Sequence, residues 1–301
     1  MRVPDEILKC VVFVGRVLPG VIDLRPRATA FIVAVPLEQD PSNSVVYLVT
    51  ARHTAEELSL GPWFIRVNMN DGSCREVVNP RPEKWFFHPS EPESVDAAVS
   101  IIMGTIDECD VANVPLAMFA TPPAIAKCNI GVGDEVFFPT LFTKMTGRHR
   151  NFPILRDGKI ALMPSEKVPG IKIGQAKSCD ADAYLIEARS VGGISGAPVF
   201  VRETVNLSVV TTDGRQMQVP LSGSYLLLGL MHGHWDVDET QINEPFIRSV
   251  TREERLGVNV GIAVVVPAQK IHDILMTDEM IRHRQKVYQD RIDAQGTTSQ
   301  D

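Results

Sequence analysis

The sequence predicts an all-β protein, and two features of the chain support this prediction. Short apolar runs of strand length recur throughout and are bounded by Gly, Pro, Asn or Asp, as expected for strands joined by turns. Helical periodicity is scarce outside the C-terminal segment, which favours a β-sandwich or a β-barrel. A chain of 301 residues can build one large domain or two smaller ones.

Each apolar run is interpreted as one strand, because its length and flanking turn residues fit a strand better than a helix. The predicted strands are Val11–Val17, Ala28–Val35, Val45–Val49, Trp63–Val67, Ala97–Met103, Glu135–Phe138, Ile154–Ala161, Tyr184–Ile186, Val199–Val201, Tyr225–Met231 and Gly261–Val266. The aromatic run Lys84–Pro89 is expected at the edge of a sheet.

Two segments have helical character. Thr54–Leu58 can form a short helical turn directly after a histidine. Pro267–Arg291 begins with a proline, which suits the first turn of a helix, and its apolar residues have helical spacing. We therefore predict a C-terminal helix or helix pair, with the polar residues Ala294–Asp301 frayed.

A division of the chain is predicted where three prolines punctuate Ala112–Ala124. The expected parts are residues 1–115, residues 116–266 and a helical tail of residues 267–301.

Composition and charge exclude several classes of function. A net charge of −7 argues against a nucleic-acid partner, which needs a basic face. No apolar run approaches the roughly 20 residues of a membrane helix, and the N-terminus is a poor secretory signal. The five cysteines are odd in number and lack C-x-x-C spacing, so neither disulfides nor a zinc site are predicted. We expect a reduced, cytoplasmic setting without cofactor or metal; the oligomeric state is left open.

The motif with the clearest chemistry is Gly192–Phe200, GGISGAPVF, in which Ser195 lies between glycines. A nucleophilic serine needs an exposed hydroxyl and nearby backbone N–H groups that stabilise an oxyanion. Glycine lets the chain turn sharply and brings those N–H groups close. A Gly-rich turn without function would have the same composition.

A histidine and an aspartate stand at the ends of two other predicted strands. His53 follows the apolar run Val45–Val49, and an imidazole with a pKa near ~6.5 suits a general base. Asp96 opens the apolar run Ala97–Met103. A carboxylate is costly to bury there unless it has a partner, and an imidazole N–H can be that partner.

Together the three motifs resemble those of the trypsin/chymotrypsin-like serine peptidase superfamily, particularly its bacterial members without secretion signals or disulfides. The family's T-A-[AG]-H motif matches Thr50–His53, and its D-x-A-[LV] motif matches Asp96–Val99. Its G-[DN]-S-G-[GS]-P motif matches Gly193–Pro198. The order His, Asp, Ser also agrees, and the resemblance covers roughly Val11–Ile274.

The resemblance implies a chymotrypsin-like double β-barrel with the cleft between the barrels and a helix at the C-terminus. It implies a serine endopeptidase acting on a protein or peptide substrate through an acyl-enzyme. His53 would be the general base, Asp96 its orienting partner and Ser195 the nucleophile. The N–H groups of Gly193 and Ser195 would form the oxyanion hole.

The sequence departs from the family pattern in three places. Ile194 replaces the aspartate that pairs with a newly cleaved N-terminus in secreted digestive members, so no zymogen ion pair is expected. Ala197 is small enough to replace Gly or Ser. Arg52 replaces a small residue before the histidine, a change that the sequence does not explain.

The resemblance also indicates a substrate pocket. Gly229–His234 looks like the family's pocket-wall strand, G-[IV]-x-S-x-G, along which an extended substrate would add by main-chain hydrogen bonds. His232, Gly233 and His234 are therefore expected at the pocket. Arg189 is expected near its floor, where a cation would favour an acidic or amide side chain before the scissile bond.

The sequence raises three alternatives to the peptidase hypothesis. The domain could be catalytically silent and bind proteins, because fold does not imply function. His232, His234 and Asp236 have spacing seen in metal-dependent hydrolases, which a chelator would inactivate. An α/β-hydrolase is excluded because Ser195 does not lie in a G-x-S-x-G motif and no strand–helix alternation surrounds it.

Overall fold

The computed structural model describes residues 3–18, 20, 24–79, 84–102, 107–174, 178–188, 193–210, 216–238 and 257–298. Strands predominate among these residues and form one large sheet, one closed barrel and a two-stranded sheet. Two helices end the described chain. The predicted fold class is confirmed. None of the described helices is both long and apolar enough to cross a membrane.

The first sheet contains eight strands. They are β1 (Val11–Arg16), β2 (Ala28–Pro36), β3 (Ser44–Thr50), β4 (Trp63–Asn68), β5 (Cys74–Asn79), β6 (Trp85–Phe87), β7 (Ala98–Ile101) and β8 (Val114–Pro115). Antiparallel pairing gives the order β5-β4-β1-β2-β3-β7-β6, and β8 pairs in parallel with β2. Within the part of the chain that the structure describes, this path stays open rather than closing into a barrel.

The second sheet closes on itself as a six-stranded antiparallel barrel in the order β10-β13-β16-β15-β14-β9. The strands that follow β8 are β9 (Glu135–Thr140), β10 (Ile154–Leu162), β11 (Val168–Ile171), β12 (Cys179–Ala181), β13 (Tyr184–Glu187), β14 (Pro198–Val210), β15 (Gln216–Asp238) and β16 (Gly257–Pro267). β11 and β12 form the separate two-stranded sheet.

The strand β2 is buried on both faces, which explains its uninterrupted apolar sequence. Successive strand residues point to opposite faces. Ala30 and Ile32 therefore join a core formed by the first sheet, whereas Phe31 and Val33 join a core that also contains barrel and C-terminal residues. The proposed three-part division stays a prediction, because this second core runs across all three parts.

The helices lie mainly at the ends of the sheets. They are α1 (Asp5–Lys9), α2 (Arg52–Leu58), the 3₁₀ turn Leu116–Met118, α3 (Pro122–Cys128), α4 (Ala268–Leu275) and α5 (Asp278–Thr298). α4 buries Ile271, Ile274 and Leu275 in the shared core. Arg284 of α5 is buried and donates to the Leu275 carbonyl at 2.9 Å and to the Tyr47 hydroxyl at 3.3 Å, which anchors the C-terminus on the first sheet.

The structure differs from the sequence prediction at several elements. α3 begins inside the stretch predicted to be a linker, because Pro122 and Pro123 occupy the first turn of a helix, where their missing N–H groups cost nothing. The short elements α1, β5, β8, β11 and β12 carry too little periodicity to be predicted. α5 continues to Thr298, into the segment that was expected to fray.

The barrel and the first sheet meet at Gly196, in the loop before β14. A Cβ atom on Gly196 would lie 2.2 Å from the Thr29 carbonyl oxygen and 2.3 Å from Thr50 Oγ1. Gly196 also has a φ of 80°, which L side chains rarely adopt. The glycine therefore permits a close approach of the two sheets that any larger residue would prevent.

A group of ionised side chains joins the loop before β7 to the segment before β11 and to α4. Glu91 bonds Lys167 at 2.5 Å and also bonds Lys270 of α4. Lys270 is largely buried and pairs with Asp182 at 2.7 Å. The hydrogen bonds from Lys167 and Lys270 lower the pKa of Glu91 to about 2, so this carboxylate stays charged in mild acid.

Replacing Gly196 by Ala should lower the free energy of unfolding by about 3 kcal/mol, because the new methyl group meets backbone atoms that cannot move away. Urea unfolding measures this change. Gly233→Ala is the matched control, since a Cβ atom there meets nothing within 4 Å and should cost less than about 1 kcal/mol. Equal losses in the two variants would contradict the close approach.

Replacing Glu91 by Gln should lower the free energy of unfolding by about 1 kcal/mol at neutral pH, the upper end for partly exposed ion pairs. The folded pKa of Glu91 is lowered, so its contribution is complete above the unfolded value near ~4.3. The contribution is lost as the pH falls toward the folded value of about 2. The difference between wild type and variant, measured by urea unfolding, should therefore shrink in acid.

Glu279→Gln is the control for this experiment. Glu279 pairs with Lys84, and both side chains are more than half exposed, so its removal should change stability by less than about 0.5 kcal/mol. A Glu91→Gln effect that is no larger than that of Glu279→Gln, or one that persists unchanged in acid, would show that the ion pairs of Glu91 do not stabilise the fold.

Candidate active site

The pairing of β3 with β7 brings His53 and Asp96 together. Thr50 at the end of β3 lies opposite Ala98 at the start of β7. His53 comes three residues after Thr50, in the first turn of α2, and Asp96 comes two residues before Ala98. Because antiparallel partners place the end of one strand beside the start of the next, the two side chains meet at one edge of the sheet.

The Asp96 carboxylate accepts hydrogen bonds at both oxygens. Oδ1 accepts the backbone N–H of His53 at 2.9 Å, and Oδ2 contacts His53 Nδ1 at 2.8 Å. The first N–H groups of a helix lack intrahelical partners, so Asp96 also completes the start of α2. Asp96 is only 1% exposed, and these bonds offset the cost of burying its charge.

The sequence predicted His232 for the substrate pocket, and the structure gives it a further contact that was not predicted. Its Nδ1 lies 2.5 Å from Asp96 Oδ2, the same oxygen that His53 contacts. The two imidazole rings stand nearly perpendicular, at 81°, with centroids 5.7 Å apart. The pattern G-[IV]-x-S-x-G has a serine at this position. The sequence feature that could have indicated the contact was therefore a histidine in place of that serine.

These contacts shift the protonation of Asp96 and of His53. Burial by itself raises the pKa of Asp96, but the charge of His53 and the hydrogen bonds from His232 and His53 outweigh it and hold the pKa well below its usual range. Burial by itself lowers the pKa of His53, and the charge and hydrogen bond of Asp96 raise it by more. The pair therefore favours an ionised carboxylate beside the imidazole.

Ser195 lies in the loop before β14 and joins the same group. Its hydroxyl donates to the backbone carbonyl of His232 at 3.2 Å. His232 contacts both groups through different atoms: its backbone carbonyl accepts from Ser195, and its imidazole bonds Asp96, which also bonds His53. The structure brings the three predicted triad residues into one cluster, although no hydrogen bond joins Ser195 to His53 within the described residues.

Thr29 of β2 positions the Ser195 loop, and sequence reasoning did not identify it. Its backbone N–H donates to the Ser195 carbonyl at 3.1 Å. Its hydroxyl donates to the Gly193 carbonyl at 2.9 Å and accepts from the Leu141 N–H at 3.0 Å. The one available signal in the sequence was a hydroxyl in the otherwise apolar run Ala28–Val35; in the structure Thr29 is fully buried.

The backbone around Ser195 leaves two N–H groups available. Gly193 has a φ of 99°, a conformation that favours glycine. Within the part of the chain that the structure describes, the N–H groups of Gly193 and Ser195 donate no hydrogen bond. Unpaired N–H groups beside a serine hydroxyl are the elements of an oxyanion hole.

The remaining predicted site residues are placed only in part. Arg189 lies outside the described residues. Gly233 is described within β15, opposite Val264 of β16. For His234 and Asp236 only the backbone is described, so the alternative metal site of His232, His234 and Asp236 stays a hypothesis.

Comparison with known proteins gives likeness of structure alone. No protein-family model and no curated protein sequence matches the chain. A serine endoprotease from Yersinia pestis is 14% identical with a TM-score of 0.45; the alignment covers 92% of this chain and 65% of that one. Human heparin binding protein is 9% identical with a TM-score of 0.46, covering 91% and 92%. The closed barrel, the large first sheet and the C-terminal helices agree with the chymotrypsin-like fold class that the sequence predicted.

Proposed function

We propose that this protein is a serine endopeptidase that hydrolyses peptide bonds through an acyl-enzyme. The observation that carries the proposal is the bond between His53 and the buried Asp96, with the Ser195 hydroxyl in the same hydrogen-bonded cluster. The carboxylate-oriented imidazole supports the roles of base and orienting partner, and Ser195 in its Gly-rich loop is the proposed nucleophile.

The chemistry follows from the tautomer that Asp96 selects. An ionised carboxylate at Nδ1 keeps the proton of a neutral His53 on that nitrogen, which leaves Nε2 to accept a proton from Ser195. Ser195 Oγ attacks the peptide carbonyl, and the N–H groups of Gly193 and Ser195 stabilise the oxyanion, at about 3 kcal/mol for one such donor. His53 then protonates the leaving amine, and water releases the acyl group.

The Ser195 hydroxyl must reorient for this reaction. It donates to the His232 carbonyl at 3.2 Å, and the proposed reaction requires it to exchange that acceptor for His53. Catalytic hydrogen bonds are often long or poorly aligned before substrate binds. The bond to the His232 carbonyl is therefore compatible with an enzyme at rest.

The same bond favours a second candidate function. If the Ser195 hydroxyl stays on the His232 carbonyl, His53 cannot activate it, and the domain would bind a protein or peptide without cleaving it.

In either case the partner is an extended peptide that lies along β15. A preference for acidic or amide side chains, set by Arg189, and a cytoplasmic location remain predictions from the sequence.

Ser195→Ala should abolish labelling by a fluorophosphonate probe and lower kcat for peptide hydrolysis by roughly a millionfold, as loss of a triad nucleophile does. Ser42→Ala is the matched control, because Ser42 is exposed and its hydroxyl bonds only Asp40 within the described residues. The control should be labelled like the wild type.

Labelling also separates the two candidate functions. A folded wild type that neither reacts with the probe nor cleaves a peptide library would favour the silent binding domain. Turnover retained in Ser195→Ala would refute the role given to this serine.

The value of kcat/KM should fall as the pH drops, because a protonated His53 cannot accept the proton of Ser195. Asp96 raises the pKa of His53 above 6.5. The midpoint of the acid limb should therefore lie above that value, with about a tenfold loss for each further pH unit. The profile is measured with a chelator in the buffer. A rate that stays flat from neutral to mildly acid pH would rule out His53 as the base.

A further inference from the structure

We propose that His53, Asp96 and His232 form a binding site for a divalent transition-metal ion such as Zn²⁺, and that the bound ion inhibits the enzyme. One nitrogen of each imidazole and one oxygen of the carboxylate all lie within 4.8 Å of one another. Both Nδ1 atoms contact Asp96 Oδ2, at 2.8 Å and 2.5 Å.

The ligand set suits zinc. Two imidazole nitrogens and one carboxylate oxygen are a common set of three protein ligands, and water takes the fourth position. Ligands about 2.1 Å from a tetrahedral ion lie about 3.4 Å apart. Each histidine nitrogen must therefore move less than about 1 Å away from the Asp96 oxygen.

Binding requires neither imidazole to gain or lose a proton when both are neutral. Each neutral imidazole moves its proton from Nδ1 to Nε2, so Nδ1 gains the lone pair that coordinates the ion. Glu56 and Glu57 on α2 also act electrostatically on His53. Arg52 pairs with Glu56 at 2.7 Å, so Glu57 is the carboxylate that adds negative charge near the site.

The surroundings also allow entry and hold the ligands in place. The Asp96 side chain is 2% exposed, whereas those of His53 and His232 are 23% and 11% exposed. An ion can therefore reach the site from the imidazole side. Asp96 Oδ1 is held by the His53 N–H at 2.9 Å, and such outer contacts fix the orientation of a ligand.

Inhibition follows from the same proton shift. An ion on His53 Nδ1 keeps the imidazole proton on Nε2, so Nε2 cannot accept the proton of Ser195. This consequence rests on the proposed peptidase function, whereas the binding itself does not. A chelator should then activate the enzyme. The metal-dependent hydrolase hypothesis predicts the opposite effect.

The binding is tested in the full-length Ser195→Ala variant, so that no readout depends on turnover. Zn²⁺ is titrated in competition with a chromophoric zinc indicator, and Co²⁺ is added separately to follow its visible absorption. One ion per chain is expected. His232→Ser and His53→Gln, each added to Ser195→Ala, should weaken binding at least about tenfold.

Two control variants and a folding check complete the binding test. His149→Ala removes an exposed histidine outside the cluster and should leave Zn²⁺ affinity unchanged. His234→Ala should also leave it unchanged, and a loss there would place the ion at the His232-x-His234 pair and overturn the proposal. Circular dichroism confirms folding. Affinity unchanged in both His232→Ser and His53→Gln would equally overturn it.

Activity assays then separate the proposal from the function on which it rests. In wild type, Zn²⁺ should inhibit peptide hydrolysis over the concentration range in which it binds, and EDTA should reverse the inhibition. Binding without inhibition would overturn the inhibitory role. A wild type that lacks peptidase activity in EDTA but binds Zn²⁺ through the cluster would refute the peptidase and leave the metal site standing.

Discussion

The buried carboxylate of Asp96 is the interaction on which the site depends. A charge this deeply buried is costly unless hydrogen-bond donors surround it, and its donors come from separate parts of the chain. The His53 N–H and imidazole come from α2, and the His232 imidazole comes from β15 of the barrel. Asp96 thus connects the first sheet to the barrel. Its charge can be buried without a large free-energy cost only when both parts supply their donors.

The junction between the sheets imposes a second, steric constraint. Gly196 lies against the Thr29 carbonyl and Thr50 Oγ1, where no side chain fits. Thr29 in turn holds the carbonyls of Gly193 and Ser195. Since Thr50 ends the strand that leads to His53, the packing that closes the junction also fixes the distance between the loop of the nucleophile and the base.

His232 gives this cluster a composition that a plain His-Asp-Ser triad does not have. Two imidazoles share a single carboxylate oxygen, so the charge of Asp96 is divided between two partners. The backbone of His232 also contacts Ser195 through its carbonyl. One residue of β15 therefore contacts both Ser195 and Asp96, and its side chain is the third ligand of the proposed metal site.

Much of the fold and part of the site could be predicted from the sequence, because those features depend on local pattern. Apolar runs such as Ala28–Val35 and Val45–Val49 became strands, and the resemblance of the motifs around His53 and Asp96 to those of the peptidase family predicted their contact. The Gly-rich surroundings of Ser195 likewise predicted a sharp turn. Elements with little periodicity, such as α3 and β5, could not be predicted.

The sequence by itself determined the strands, the turn at Ser195 and the pairing of a base with a carboxylate. Only the tertiary structure decided that His232 joins Asp96, that Thr29 holds the Ser195 loop, and that the Ser195 hydroxyl rests on the His232 carbonyl. The reason is physical. These contacts join residues more than 30 positions apart, and their geometry is set by how the two sheets pack, which no local pattern encodes.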